Sequence, residues 1–245
     1  MSTALALPSR KDEDFRYAEL DALAPLWPVA VERSVLAAGE ERALTLVETG
    51  AIPVVRELAV TLASGAKLDL RILSSASAYT RIAVRAELGA GAEFTLGAAQ
   101  LASGNATLEI VTEVHHAGPD ATSRQTVRSV AGGTATVNYL GKVLVARGAD
   151  GTDGSQSVRA MLLDRTATAN AKPELEIYAD DVKCAHGCAV GELDSAALFY
   201  MAQRGLPPET AKRLMLQAFV AEAFTGAADE EALLAQAIAA LEAML

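Results

Sequence analysis

Aromatic residues are scarce in this chain of 245, at 4%, with a single tryptophan, while 51% of residues are hydrophobic. A core built mainly from Ala, Val and Leu suits tightly stacked strands and close-packed helices better than a roomy aromatic pocket. Cysteine is nearly absent: the only two are Cys184 and Cys188, four apart. A disulfide framework needs more cysteines at wider spacing, so reduced thiols in a reducing compartment are expected. Basic blocks are missing too, and the net charge is -10. That excludes the clustered Lys and Arg needed to hold nucleic acid phosphates or an anionic membrane surface.

No stretch approaches the roughly 18 uninterrupted apolar residues of a membrane span. The opening MSTALALPSRKDEDF has no charged region ahead of an apolar core, so no signal peptide is read there and a cytoplasmic location is expected. Walker A, Gly-x-Ser-x-Gly and His-Glu-x-x-His patterns do not occur, and no ATPase or hydrolase signature is present.

What is present falls into three parts. In residues 1–35, a polar, structure-breaking run from Pro8 to Asp14 precedes a short helix predicted over Phe15 to Leu23. Its apolar members are Phe15, Tyr17, Leu20 and Leu23, and it ends before Pro25 and Pro28. The part from 36 to 190 reads as β, most clearly from about Ala43, because short segments alternate apolar and polar residues. Glu57–Leu62, Lys67–Ile72, Glu93–Leu96, Thr107–Thr112 and Thr136–Tyr139 are the clearest. Small-residue breaks separate them, and Gly65-Ala66 and Gly91-Ala92 each precede a strand 26 residues apart.

That spacing lies in the range of repeat architectures, where each coil stacks on the next. An antiparallel sandwich would also give many short strands, but no Asn-Gly or Asp-Gly pair sits tightly between two strong strands. A stacked β-solenoid is therefore placed ahead of a sandwich. In residues 191–245 the period becomes helical. Asp194 is a plausible N-cap for a helix with Leu198, Met201 and Ala202, closed by Gly205 and Pro207. A second helix starts near Pro208 with a stripe of Ala211, Leu214, Met215, Ala218 and Phe219, and stops at Gly226. A third opens on Asp229, Glu230 and Glu231 and carries Leu234, Ile238, Leu241 and Leu245.

The donor-rich stretch is Cys184-Ala185-His186-Gly187-Cys188. An extended strand would point the two thiols and the imidazole to one face, a soft set suited to iron or an iron–sulfur fragment. The alternative stays open that the cysteines pack as small hydrophobes, that hydrogen bonds satisfy His186, or that Gly187 bends the strand. His115 and His116 would point to opposite faces, which disfavours a shared metal. Asp180 and Asp181 diverge for the same reason and are read as turn residues.

The segment Pro173-Glu174-Leu175-Glu176-Ile177-Tyr178-Ala179-Asp180-Asp181-Val182-Lys183-Cys184-Ala185-His186-Gly187 continues into Val190-Gly191-Glu192-Leu193-Asp194, Leu198-Phe199-Tyr200 and Arg204-Gly205. It closely resembles the C-terminal signature of the SufB/SufD family of the SUF iron–sulfur cluster assembly system. Further likeness lies in Ser123, in Tyr139-Leu140-Gly141-Lys142-Val143, in Asp153-Gly154-Ser155-Gln156 and in Met161-Leu162-Leu163. The N-terminal Leu7-Pro8 through Phe15-Arg16-Tyr17 resembles the family's opening.

The resemblance implies a right-handed parallel β-helix core flanked by helical terminal segments. It implies a scaffold, not an enzyme, in a complex with a SufB-type subunit and the ABC-type ATPase SufC, the latter docked by the C-terminal helices. It places His186 first among ligand candidates, with Cys184 and Cys188 beside it. Cofactors are expected to be transient, an iron–sulfur cluster or iron at the subunit interface, and the chain alone could form a homodimer. Cys188 departs from the family, which commonly has a small non-thiol residue there. The two cysteines fit the SufD branch better than the cysteine-richer SufB branch, although the chain is short for either, so fewer coils and a trimmed N-terminal part are expected. The rival readings are a stand-alone metal-binding or iron-delivery protein and a β-solenoid carbohydrate-active enzyme.

Overall fold

The computed structural model describes residues 6–76 and 78–245, so the first five residues of the predicted N-terminal segment lie outside the described residues. Twelve strands follow one another along the chain. They are β1 Val31–Leu36, β2 Glu41–Glu48, β3 Val54–Leu62, β4 Lys67–Ser74, β5 Thr80–Leu88 and β6 Glu93–Ala102. Then come β7 Thr107–His116, β8 Thr122–Ala131, β9 Thr136–Val145, β10 Asp153–Leu162, β11 Thr168–Ile177 and β12 Lys183–Gly191.

Odd strands pair only with odd strands, in the order β1-β3-β5-β7-β9-β11, and even strands only with even, β12-β10-β8-β6-β4-β2. Every pairing is parallel. The chain is thus a parallel β-solenoid of six coils, each giving one strand to each sheet. Glu41 pairs with Lys67 and Lys67 with Glu93, so the 26-residue step read from the glycine breaks is the length of an early coil. Later coils are longer: Thr122 pairs with Asp153.

The odd-to-even corner explains the repeating breaks. Gly39, Gly65 and Gly91 hold φ near +70°, +68° and +64°, a left-handed conformation that a Cβ would strain. Their N–H groups donate one coil onward, to the carbonyls of Ser64, Ala90 and Pro119. Asp120 takes the same corner position at φ +58°, which aspartate tolerates better than most residues, and donates to the carbonyl of Asp150.

Side chains pointing between the sheets fill the lumen. Leu58, Val60 and Leu62 of β3, Leu68, Leu70 and Ile72 of β4, Ile82, Val84 and Leu88 of β5, and Phe94 and Leu96 of β6 form one buried cluster. At about 25 cal/mol per Å² of apolar surface removed from water, this stack supplies the main driving force for coiling.

Both outer faces are partly covered, each by one terminus. The predicted single helix over Phe15–Leu23 is instead two short turns, a 3-10 turn at Glu13–Phe15 and α1 at Leu20–Leu23, because the segment follows the outer face of the odd sheet. Buried Arg81 donates to the carbonyl of Asp14 at 2.7 Å, pairs with buried Glu109 at 2.9 Å, and stacks 4.2 Å from the Phe15 ring centroid. The Glu19 amide donates to Glu109 at 3.1 Å and the Asn138 side-chain amide to the carbonyl of Tyr17 at 3.1 Å. These long-range bonds replace the intrahelical ones that a continuous helix would have made.

The other terminus forms α2 Ser195–Gln203, α3 Pro208–Ala221 and α4 Glu230–Glu242. Asp194 caps α2 as predicted, accepting from the amides of Ala196 and Ala197. Helices α3 and α4 pack on the outer face of the even sheet, where Leu216, Phe219, Val220, Phe224, Leu233 and Leu241 meet Leu73, Ala99, Leu101 and Val130. The buried stripes differ from the predicted ones. In α3 they are Ala211, Leu216, Phe219 and Val220, with Leu214 exposed; in α4 they are Leu233, Ala237 and Leu241. Alanine-rich helices offer more than one apolar stripe, and the approach to the sheet selects between them. That approach is close: a Cβ on Gly97 would lie 1.8 Å from the Ala223 carbonyl oxygen. No helix among the described residues is long and apolar enough to cross a membrane.

Candidate functional site

The candidate ligands lie on β12, the last strand of the even sheet. It runs unbroken through Gly187, in register with β10 from Asp153↔Lys183 to Met161↔Gly191. The alternation therefore survives the glycine. Cys184, His186 and Cys188 stack on Gly154, Gln156 and Val158, of which Val158 packs in the lumen core and Gln156 bonds Tyr139 of that core. The three donors form one row on the lumen side of the last coil, at about 6.5–7 Å per two-residue step.

Tracing each donor down the solenoid shows what it continues. The His186 column descends through Gln156, Gln125, Leu96, Leu70 and Leu44. The Cys188 column is Val158, Val127, Ala98, Ile72 and Leu46, apolar throughout. The Cys184 column passes through Gly154 and Ser123. Position for position, His186 tops a column that turns polar toward the mouth, whereas Cys188 ends a hydrophobic one.

Burial changes abruptly at the last coil. Gln156 and Val158 are each 2% exposed, whereas His186 and Cys188 are exposed and Cys184 is half-buried. Nothing among the described residues stacks on the outer edges of β11 and β12. The row is thus a set of core-facing side chains without a core above them. Pro173 sits in β11, an edge strand, where a residue without an N–H is tolerated.

Burial pushes both thiols upward; for Cys184 the nearby Asp153 charge adds to the rise and a backbone hydrogen bond from Gly154 opposes it. In the free chain they are thiols, and binding a metal would release their protons. Among the described residues, no group of three or more His, Cys, Asp or Glu side chains converges to hold a metal ion. The three predicted donors share a face but do not meet at one point.

Beneath the row lies a buried polar cluster. Thr112 Oγ1 donates to Gln125 Oε1 at 2.8 Å and contacts Tyr139 Oη at 2.9 Å, and Gln156 Nε2 donates to Tyr139 Oη at 3.2 Å. Desolvation raises the Tyr139 phenol to about 12, which keeps it neutral. Gly141 makes room, since a Cβ there would lie 2.2 Å from Tyr139 Oη and 2.6 Å from Gln156 Nε2. One column over, His116 Nε2 lies 2.8 Å from Ser123 Oγ, and burial pushes the imidazole down to about 4. His115 sits on the outer face, as the strand alternation predicted. The position of Gln156 beneath His186 was not read from sequence; its signal was a glutamine at a lumen-facing position, visible only once the register was known.

The fold is thus a β-solenoid with a row of soft donors at the open edge of its last coil. Residues 30–219 match the SUF system FeS cluster assembly SufBD core domain, and the chain belongs to that family. It is 38% identical over 117 residues to the iron–sulfur cluster assembly protein SufD of Escherichia coli, covering 48% of this chain and 27% of that protein. It is 39% identical over 117 residues to the chloroplastic protein ABCI7 of Arabidopsis thaliana, covering 47% and 25%. SufD of Bacillus subtilis is 37% identical over 84 residues, covering 34% and 19%. The chain is SufD-like, and these matches span about a quarter or less of the relatives' own length.

Proposed function

We propose that this protein is a scaffold subunit in iron–sulfur cluster assembly, working with a SufB-type subunit and an ABC-type ATPase of the SufC kind, and catalysing no reaction by itself. The observation that carries this reading is the uncapped last coil, with Cys184, His186 and Cys188 in one lumen-side row between two unpaired strand edges. A related solenoid abutting this end would pair those edges and bring its own ligand opposite His186, which no donor cluster among the described residues surrounds. His186 is the principal ligand to the transient cluster or to iron, with one thiol at most assisting. Free cysteines fit a reducing, cytoplasmic setting.

The ATPase docks on the C-terminal helices. Their inner faces are occupied by the even sheet, so the available surface includes α2, where Phe199 and Tyr200 are 66% and 59% exposed. Deleting the helices would uncover the sheet, so Phe199→Asp is the cleaner test; unchanged ATPase co-elution by this variant would remove α2 from the interface.

The central test co-expresses the chain with its SufB-type and SufC-type partners and reconstitutes the purified complex with ferrous iron and sulfide. His186→Ala is expected to lower cluster absorbance several-fold while the complex still elutes intact, and Cys188→Ala to have a mild effect. Normal cluster yield from His186→Ala would exclude the histidine from the mechanism. Tightly held, stoichiometric iron in the chain purified alone would favour the iron-delivery reading instead.

A further inference from the structure

We infer that Gln156 is the positioning residue for His186, setting which imidazole nitrogen carries the proton and which faces the mouth; this rests on His186 being the presented ligand. In the parallel register His186 lies directly over Gln156, one strand spacing away, about 4.8 Å. The Gln156 side-chain amide is not free to choose its partner. Its Nε2 donates to Tyr139 Oη at 3.2 Å, and that phenol is itself held by Thr112 at 2.9 Å and Gln125 at 3.2 Å. With the nitrogen committed to Tyr139, the oxygen is the arm left over.

Gln156 Oε1 is buried and has no hydrogen-bond partner, in a residue 2% exposed. An unsatisfied buried acceptor keeps the cost of its lost hydration, and native proteins retain few of them. The coil directly below holds Gln125, and the two coils below that hold leucines, Leu96 and Leu70, at no such cost. The column turns from apolar to polar at Gln125, and Gln156 is its last buried member before the donor at the mouth. An imidazole that binds a metal through one nitrogen gives its other N–H to a carbonyl or carboxylate, which fixes the tautomer and raises the ligand's basicity. Gln156 Oε1 supplies that carbonyl from below, leaving the other nitrogen's lone pair for the mouth. Glutamine does this without placing a second charge in the lumen.

The competing arrangement is a buried water shared between Gln156 Oε1 and Gln125 Nε2, which is also without a partner. Long-range proton–nitrogen spectra of the histidine rings separate the two. The metal-free full chain serves, with only three histidines to resolve, at about pH 8.5, above the ordinary histidine range. In the wild type, the two ring nitrogens of His186 should be widely separated, one protonated and one not. Gln156→Leu should shrink that separation toward the averaged pattern of the partly exposed His115, with His116 unmoved, and Gln156→Glu should restore it. Tyr139→Phe, which removes the amide's anchor at nearly constant volume, should shrink it too and serves if Gln156→Leu does not fold. An identical His186 pattern in the wild type and the variant that folds, or an averaged pattern in the wild type, overturns the assignment in favour of the water. Failure of the ligand reading is seen separately, in the cluster yield of the His186→Ala complex, which these spectra do not involve.

Discussion

The two ends of the solenoid are built from the same repeat and finished in opposite ways. At the first coil, the positions stacked under Leu58, Val60 and Leu68 are Glu32, Ser34 and Arg42. They are tied into a polar lid: Arg56 pairs with Glu32 at 2.8 Å and Glu48 at 3.3 Å, and Arg42 donates to Ser34 at 2.6 Å. At the last coil the same three columns end in Pro173, Leu175 and Cys184, while His186 and Cys188 end the columns that begin at Leu44 and Leu46 of the first coil. The ion pairs of that coil, Lys142 with Glu176 and Lys172 with Glu174, lie on its outer face. A charged lid makes stacking on another end unfavourable, because its ions would have to be desolvated. A mouth of thiols, imidazole and small apolar groups carries no such penalty. The difference teaches that the chain closes one open solenoid end with charge and leaves the other end without it.

The sharpest way to break this comparison is to make the same deletion in one column at two depths. Leu96→Ala should cost about 2–5 kcal/mol in urea unfolding, as for other buried leucines. His186→Ala, two coils beyond Gln125 in that column, should stay within about 0.5 kcal/mol of wild type. Comparable losses at both positions would mean the mouth is as much core as the middle.

Acid probes the region between the two ends. His116 is buried with its pKa lowered from 6.5 to about 4, so the folded state resists a proton that the unfolded chain accepts. Its contribution is complete above pH 6.5 and is lost as pH falls from there toward about 4, at most about 1.4 kcal/mol per pH unit. His116→Gln, which keeps a hydrogen-bonding group near Ser123, should flatten stability against pH across that window. A variant as acid-sensitive as the wild type would place the effect elsewhere.

A modest change in stability, and the most direct test of the lid, comes from the first coil. Arg56→Met should cost about 1 kcal/mol, the upper range for a part-exposed ion pair. The combined Glu32→Val, Arg42→Val and Arg56→Val variant should change association more than stability, eluting as larger species in size-exclusion chromatography. A monomer-sized peak would show that the lid is not what keeps that end unpaired.

Much of this was legible in sequence, for a reason particular to solenoids. Each coil touches chiefly its neighbours, so the distance between Gly65 and Gly91 along the chain is also the length of a coil in space. The C-terminal helices and the strand carrying Cys184, His186 and Cys188 were legible for a similar reason, since N-caps, breakers and two-residue alternation are local. The predicted N-terminal helix failed because Arg81, Glu109 and Asn138, strands away, claim its backbone groups. The helix stripes shifted because the sheet, not helix periodicity, chose between apolar faces. The support beneath His186 was hidden because Gln156 precedes it by 30 residues and meets it only through register.

The sequence by itself determined the repeat, the order of strands and helices, the family likeness and the side of β12 that holds its donors, because local spacing and backbone alternation control all of these. Only the tertiary structure decided that this side has no coil above it, that Gln156 lies beneath His186 with an unpaired oxygen, and that charge closes the opposite end. A lumen-facing residue is core or site according to whether another coil covers it, and coverage is a property of the stack that no single coil contains.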